Sequence, residues 1–182
     1  KLLGLLFTSL SLLAAASPEV LPCLAIACFA GLRSAEIMRL DWRENRVLAR
    51  ASLARQRNLK PVARLAAWAS HALAPEWFTV APVGAVEKVL RQTGWSAGEV
   101  DLFEINEAFA VVAMAAIHDL KLDHARVNVN GGACALGHPI GATGARIVTT
   151  LIHALQQRGG RRGVAALCIG GGEATAVAIE LV

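Results

Sequence analysis

His138 stands inside a stretch from Asn128 to Gly144 that carries five glycines, and thirty residues later Cys168 leads into Gly170, Gly171 and Gly172. An imidazole and a thiol, each beside glycines, form the kind of site in which two titratable side chains work with bare peptide N–H groups. Glycine lets the main chain come close to a substrate and adopt positive φ. Taken singly, each residue has a plainer reading. A cysteine at a strand end is commonly a small buried hydrophobe, His138 can be a structural histidine, and Asn106 can bond its own turn. Cys134 and His138, four apart, are too few for zinc, which takes four ligands, so no metal is expected. Gly137 to Gly144 lacks the Gly-Lys-Ser/Thr ending of a phosphate loop.

The elements that must position these residues alternate. Val62–Ala69 is expected as an Ala-rich strand. A helix then starts near Pro82, where the missing N–H costs nothing, buries Val83, Val86, Val89 and Leu90, and ends at Gly94. Val100–Ile105 is expected as a strand, Glu107–Leu120 as a helix and Val127 with Val129 as another strand. Ile147, Val148, Leu151, Ile152 and Leu155 mark a helix closing near Gly159. Val164–Ile169 and Ala174–Val182 read as two strands, and the three-glycine join between them is short enough for an antiparallel pair. Such alternation means an α/β layered domain.

At 182 residues the chain can bury one ample core with an appended piece. Apolar residues make up 55% and charged ones 18%, a core-rich balance without a disordered tract. Four cysteines at irregular spacing favour a reducing compartment, and the cytoplasm is the expected location. Leu2–Ala16 resembles the apolar core of a secretory signal but has only Lys1 as a basic start, and it is too short to cross a membrane. It reads as a buried helix, and no membrane partner is expected. Arg33 to Arg64 holds nine basic residues against three acidic ones. This face can attract phosphate, although a solvated arginine-rich helix is the plainer account.

Asn106-Glu107-Ala108-Phe109, Asn128 through Gly132, Gly137-His138-Pro139-Ile140-Gly141 and Cys168 through Gly172 together resemble the C-terminal half of a thiolase, from about Arg46 to Val182. The resemblance implies a layered α/β/α C-terminal domain with a mixed sheet over 46–182, preceded by a short helical segment over 1–45. It implies thioester Claisen condensation or thiolysis of 3-ketoacyl-CoA, with coenzyme A thioesters as substrates and no bound cofactor. Cys168 matches the family's acid/base cysteine, whose pKa nearby dipoles or cations can lower. His138 matches the histidine that activates the nucleophilic cysteine and helps hold the thioester oxygen. Asn106 matches the residue that positions a water beside that oxygen, and the Gly170 N–H matches an oxyanion donor. Phe109 is expected to line the acyl pocket. Cys168 is accordingly expected to outpace Cys134 in reaction with iodoacetamide.

A thiolase draws its acylated cysteine from its N-terminal half. Cys23 and Cys28 lack the glycine-bordered context of a nucleophile. The chain is therefore expected to be incomplete as an enzyme, and to pair with itself or with a complementary N-terminal half. Residues 12–45, with Arg33, are similar to the first active-site box of tyrosine recombinases. The alternative this implies is a DNA-binding fragment. The chain has no tyrosine and no His with Arg three residues on, so nucleic acid is not an expected partner. The third reading is a noncatalytic thiolase-like interaction module with an apolar partner-facing surface.

Overall fold

A computed structural model describes residues 51–56, 58 and 60–182. The helical segment expected over residues 1–45 lies outside these, as do Cys23, Cys28 and Arg33. The described residues fall in two units, those up to residue 60 with 140–144, and residues 61–139 with 145–182. In the first, the described residues include a short helix, α1 (Ala51–Gln56). The second holds the sheet and the candidate site.

Four strands, β1 (Ala63–Ala72), β2 (Leu102–Ile105), β3 (Arg162–Ile169) and β4 (Glu173–Leu181), lie in the order β1-β4-β3-β2. β2 and β3 run parallel, while β3 with β4 and β4 with β1 run antiparallel, so the sheet is mixed. The helices are α2 (Ala81–Thr93), α3 (Ala110–Asp119), α4 (Ala133–Leu136) and α5 (Thr143–Arg158).

Side-chain alternation divides the sheet into two faces. On one, Phe103, Ile105, Val164 and Ala166 join Val86, Val89 of α2 and Val112, Ala116 of α3 in one apolar cluster. On the other, Leu102, Ala165 and Ile179 pack against Ile147, Leu151 and Leu155 of α5. The result is a three-layer α/β/α arrangement, as expected. Alanines at 174, 176 and 178 on β4, all buried, leave room for a close helix layer.

The predicted helix between Pro82 and Gly94 forms, and Gly94 ends it at φ 71° in the left-handed region. Val83 is only half-buried, whereas Val86, Val89 and Leu90 are buried. α3 starts at Ala110 rather than Glu107, because Phe109 is extended at φ −140° and caps it. The strand expected at Val127 and Val129 does not form. Val127 makes a single parallel bridge to Phe103, and Asn128 turns the chain at φ 49°. The antiparallel join at Gly170–Gly172 holds, with Ile169 opposite Glu173.

Asp101 aligns the parallel pair at its entry: its Oδ2 accepts from the N–H groups of Arg161 at 2.7 Å and Arg162 at 2.8 Å. Along β1, register slips between Leu65 and Ala67, and Lys88 Nζ donates to the Ser70 carbonyl at 2.8 Å. Among the described residues, no helix is long and apolar enough to cross a membrane.

Gly172 closes the β3–β4 turn at φ 93°, and a Cβ there would lie 2.3 Å from the Leu73 carbonyl oxygen. Its own carbonyl accepts from the Leu73 N–H at 2.9 Å, tying the turn to the end of β1. Gly172→Ala is expected to lower stability by at least about 2 kcal/mol, since strained backbone and a backbone clash add. Gly171→Ala, strained at φ 92° but with open space beside it, should cost about 1 kcal/mol. Urea midpoints of the two variants measure the difference, and equal losses would contradict it.

Candidate active site

Parallel pairing brings the carboxyl ends of β2 and β3 side by side, with Ile105 beside Ala166 and the Asn106 N–H donating to the Ala166 carbonyl at 2.9 Å. Loops at the carboxyl ends of parallel strands are where α/β sheets commonly hold ligands. Asn106 leaves the end of β2, Cys168 is the penultimate residue of β3, and Gly170 begins the turn just beyond. Three of the expected site residues thus share one end of the sheet. The two side chains among them, those of Asn106 and Cys168, do not share a face. Cys168 belongs to the apolar cluster with α2 and α3, while the Asn106 carboxamide meets Arg146 of α5.

His138 lies one residue past Gly137, which closes α4 at φ 90°, and its side chain is exposed. Phe109 is also exposed and meets Phe78 edge-on, with ring centroids 6.0 Å apart and planes at 72°. Among the described residues, Phe78 is the one ring packed against it.

Asn128 organises the loop behind Asn106. Its Oδ1 accepts from the Ile105 N–H and its Nδ2 donates to the Ile105 carbonyl, both at 2.9 Å. Nδ2 also donates to Glu107 Oε1 at 3.1 Å. Glu107 Oε2 accepts from the Cys134 N–H at 3.0 Å. This carboxylate sits so near Gly132 that a Cβ there would meet its carboxyl carbon at 2.2 Å. A side chain there would displace the carboxylate from its bonds to Cys134 and Asn128.

Beneath this loop lies a buried charge. Glu104 is 1% exposed, and its Oε2 accepts from Arg146 Nη1 at 3.3 Å. Arg146 Nη2 reaches Asn106 Oδ1 at 3.5 Å, a long contact. Glu104 Oε1 and Asn106 Nδ2 have no hydrogen-bond partner among the described residues. Burial pushes the Glu104 carboxyl from about 4.5 up to about 7, against the pull of Arg146 and with a smaller push from Glu107. Burial also pushes Glu107 upward, but the bonds from Cys134 and Asn128 outweigh it and hold that carboxyl below its ordinary value.

The lowered pKa expected for Cys168 is reversed: burial raises the thiol, and only its own backbone N–H opposes this. Among the described residues, no cation contributes to lowering it. The exposed Cys134 thiol is raised as well, first by its hydrogen bond to Glu107. Glu104, Glu107, Asn128 and Arg146 were not singled out by sequence. Glu107 and Asn128 sit inside the quoted motifs, whereas the signal for Glu104 was a lone acid within an apolar strand. Among the described residues, no group of three or more His, Cys, Asp or Glu side chains could hold a metal ion.

Residues 59–181 match the model of the thiolase C-terminal domain, and the chain belongs to the thiolase family. Over 134 residues it is 48% identical to the cytosolic acetyl-CoA acetyltransferase of Mus musculus, covering 74% of this chain and 34% of that protein. It is 51% identical to a probable acetyl-CoA acetyltransferase of Dictyostelium discoideum, covering 74% and 32%. The structure superposes on Acat5 thiolase from Ascaris suum in complex with coenzyme A with a TM-score of 0.69 at 48% identity, covering 74% and 35%. For human mitochondrial 3-ketoacyl-CoA thiolase the TM-score is 0.71 at 40% identity, covering 74% and 34%. The chain spans about a third of the length of these curated relatives. The recombinase likeness of residues 12–45 gains no support from these matches and lies outside the described residues.

Two outcomes follow from the ionisable groups. A folded-state pKa of about 7 for Glu104 means the folded chain binds more protons than the unfolded one between about pH 4.5 and 7. Stability should therefore fall as pH rises through that window, by roughly 3 kcal/mol from this group, and level off above it. Glu104→Gln should flatten the slope in urea titrations at pH 5 and pH 7.5, whereas a slope unchanged from the parent would refute this. Both thiols are raised, so exposure decides labelling. Cys134 should react with iodoacetamide before Cys168, which is 9% exposed, with mass spectrometry reading the order.

Proposed function

We propose that the chain supplies the acid/base half of a thiolase-type acyl-CoA C-acyltransferase, acting on 3-ketoacyl-CoA by thiolysis or on acyl-CoA by Claisen condensation. The observation that carries this reading is that Asn106 and Cys168 stand at the adjoining carboxyl ends of the parallel strands β2 and β3, in a chain of the thiolase family. Cys168 moves the α-proton beside the thioester, and a thiol kept protonated by burial is suited to donate it to the departing enolate. The Gly170 N–H stabilises an oxyanion in a turn without side chains. His138 activates the nucleophilic cysteine and holds the thioester oxygen, Asn106 positions a water beside it, and Phe109 lines the acyl side.

On this reading the acyl-carrying cysteine comes from a thiolase N-terminal half, and residues 46–182 act as the C-terminal domain. Our reading includes a cytoplasmic location, for which the support is the irregular cysteine spacing. It also includes pairing, with a second copy or with a complementary half. Phe109, Val111 and Met114, each at least 50% exposed at the start of α3 and along it, support a contact surface. The same residues favour a second reading, a noncatalytic module that binds a thiolase partner.

An acetoacetyl-CoA thiolysis assay separates the two. The purified chain alone should give turnover near background. Mixed with a thiolase N-terminal half, it should gain activity that Cys168→Ala lowers by about 100-fold or more. Association without activity would favour the module, and robust turnover that survives Cys168→Ala would overturn the acid/base role.

A further inference from the structure

The Asn106 carboxamide has two ends of similar size and opposite chemistry, and its use depends on which end faces where. Asn106 is 1% exposed, so solvent does not choose. Among the described residues, the side chain found on its Oδ1 is Arg146, through Nη2 at 3.5 Å. A guanidinium carries donors alone. Turning the carboxamide over would set N–H groups against N–H groups, which is repulsive and leaves the carbonyl unpaired. With Oδ1 on Arg146, Nδ2 is left as a buried donor without a partner among the described residues.

Arg146 is itself held. Its Nη1 donates to Glu104 Oε2 at 3.3 Å, and both Glu104 and Glu107 attract its charge. The two guanidinium nitrogens therefore serve different acceptors two residues apart along the end of β2. A planar fork can do this, whereas a single ammonium nitrogen meets that geometry poorly.

We propose that Arg146 is a positioning residue: anchored by Glu104, it fixes the Asn106 carboxamide with Oδ1 inward and Nδ2 available to donate to an oxygen of substrate or water. The role rests on the reading of Asn106 as a site residue, but the orientation itself is a property of the chain without substrate.

The test is NMR on the full 15N-labelled chain, with the Asn106 side-chain signal identified by its loss in Asn106→Asp. In the parent, Nδ2 should show an order parameter near the rigid value of about 0.85. In Arg146→Lys, which keeps the charge and the aliphatic stem, it should drop below about 0.6 while backbone signals elsewhere stay in place. If Arg146→Lys loses its dispersed spectrum, Glu104→Gln makes the same test, because it preserves shape and frees the guanidinium. An Nδ2 order parameter unmoved in a folded variant overturns the proposal. Acetoacetyl-CoA added to the parent together with a thiolase N-terminal half is a separate arm. If Arg146→Lys loosens the amide but the thioester shifts no site signal, the positioning stands and the functional reading fails. If the thioester shifts the Asn106 signal while Arg146→Lys leaves the amide rigid, the reverse holds.

Discussion

One side-chain amide holds the end of β2 where, among the described residues, no further strand does. Within those residues β2 is a four-residue edge strand, bonded on one side to β3. On its other side Asn128 offers an acceptor and a donor to the Ile105 N–H and carbonyl, which is the bonding a neighbouring strand would give. Asparagine is among the residues that accept the left-handed conformation this needs. The same amide donates its second N–H to Glu107, and Glu107 in turn accepts from the Cys134 N–H at the start of α4. Loop, strand end and the helix before His138 are thus joined through two side chains. Apolar burial stabilises the layers, but this polar joint sets where the loops sit.

The two carboxylates near it are tuned in opposite directions by their surroundings. Glu107 receives several hydrogen bonds and is held ionised, while Glu104 has one cation and little else to offset its loss of water. A buried carboxylate with one oxygen unpartnered among the described residues is costly. Its position under Asn106, on the face opposite the Cys168 thiol, means that the two faces of the sheet carry separate kinds of proton chemistry. The apolar side keeps a thiol neutral, and the α5 side keeps an acid close to the midpoint of its titration near neutrality.

Much of the frame was legible because its signals are local. Pro82 and Gly94 bracket a helix by backbone chemistry alone, and three glycines between apolar runs allow little except a tight reversal. The four motifs were legible by type and order. What stayed hidden depends on partners distant in sequence. Val127 and Val129 alternate as a strand would, but Asn128 uses its side chain where a strand would use its backbone. Glu107 looks like a first helical residue, yet its carboxylate is engaged with Asn128 and Cys134, and the helix waits until Ala110. The direction of the Cys168 shift needed the knowledge that its neighbours are apolar. Glu104 passed as part of a strand because its cation lies 42 residues away on another element.

The opposite border of the sheet is built differently. β1 is ten residues long and is bonded only to β4 among the described residues, so its outer side is a template on which a foreign strand can assemble. The irregularity between Leu65 and Ala67 breaks the repeat of that template, and the Lys88 ammonium occupies the Ser70 carbonyl. A charge and a kink placed midway along the longest strand shorten the run of regular backbone open to addition. Both are features by which an alanine-rich border limits the addition of a foreign strand.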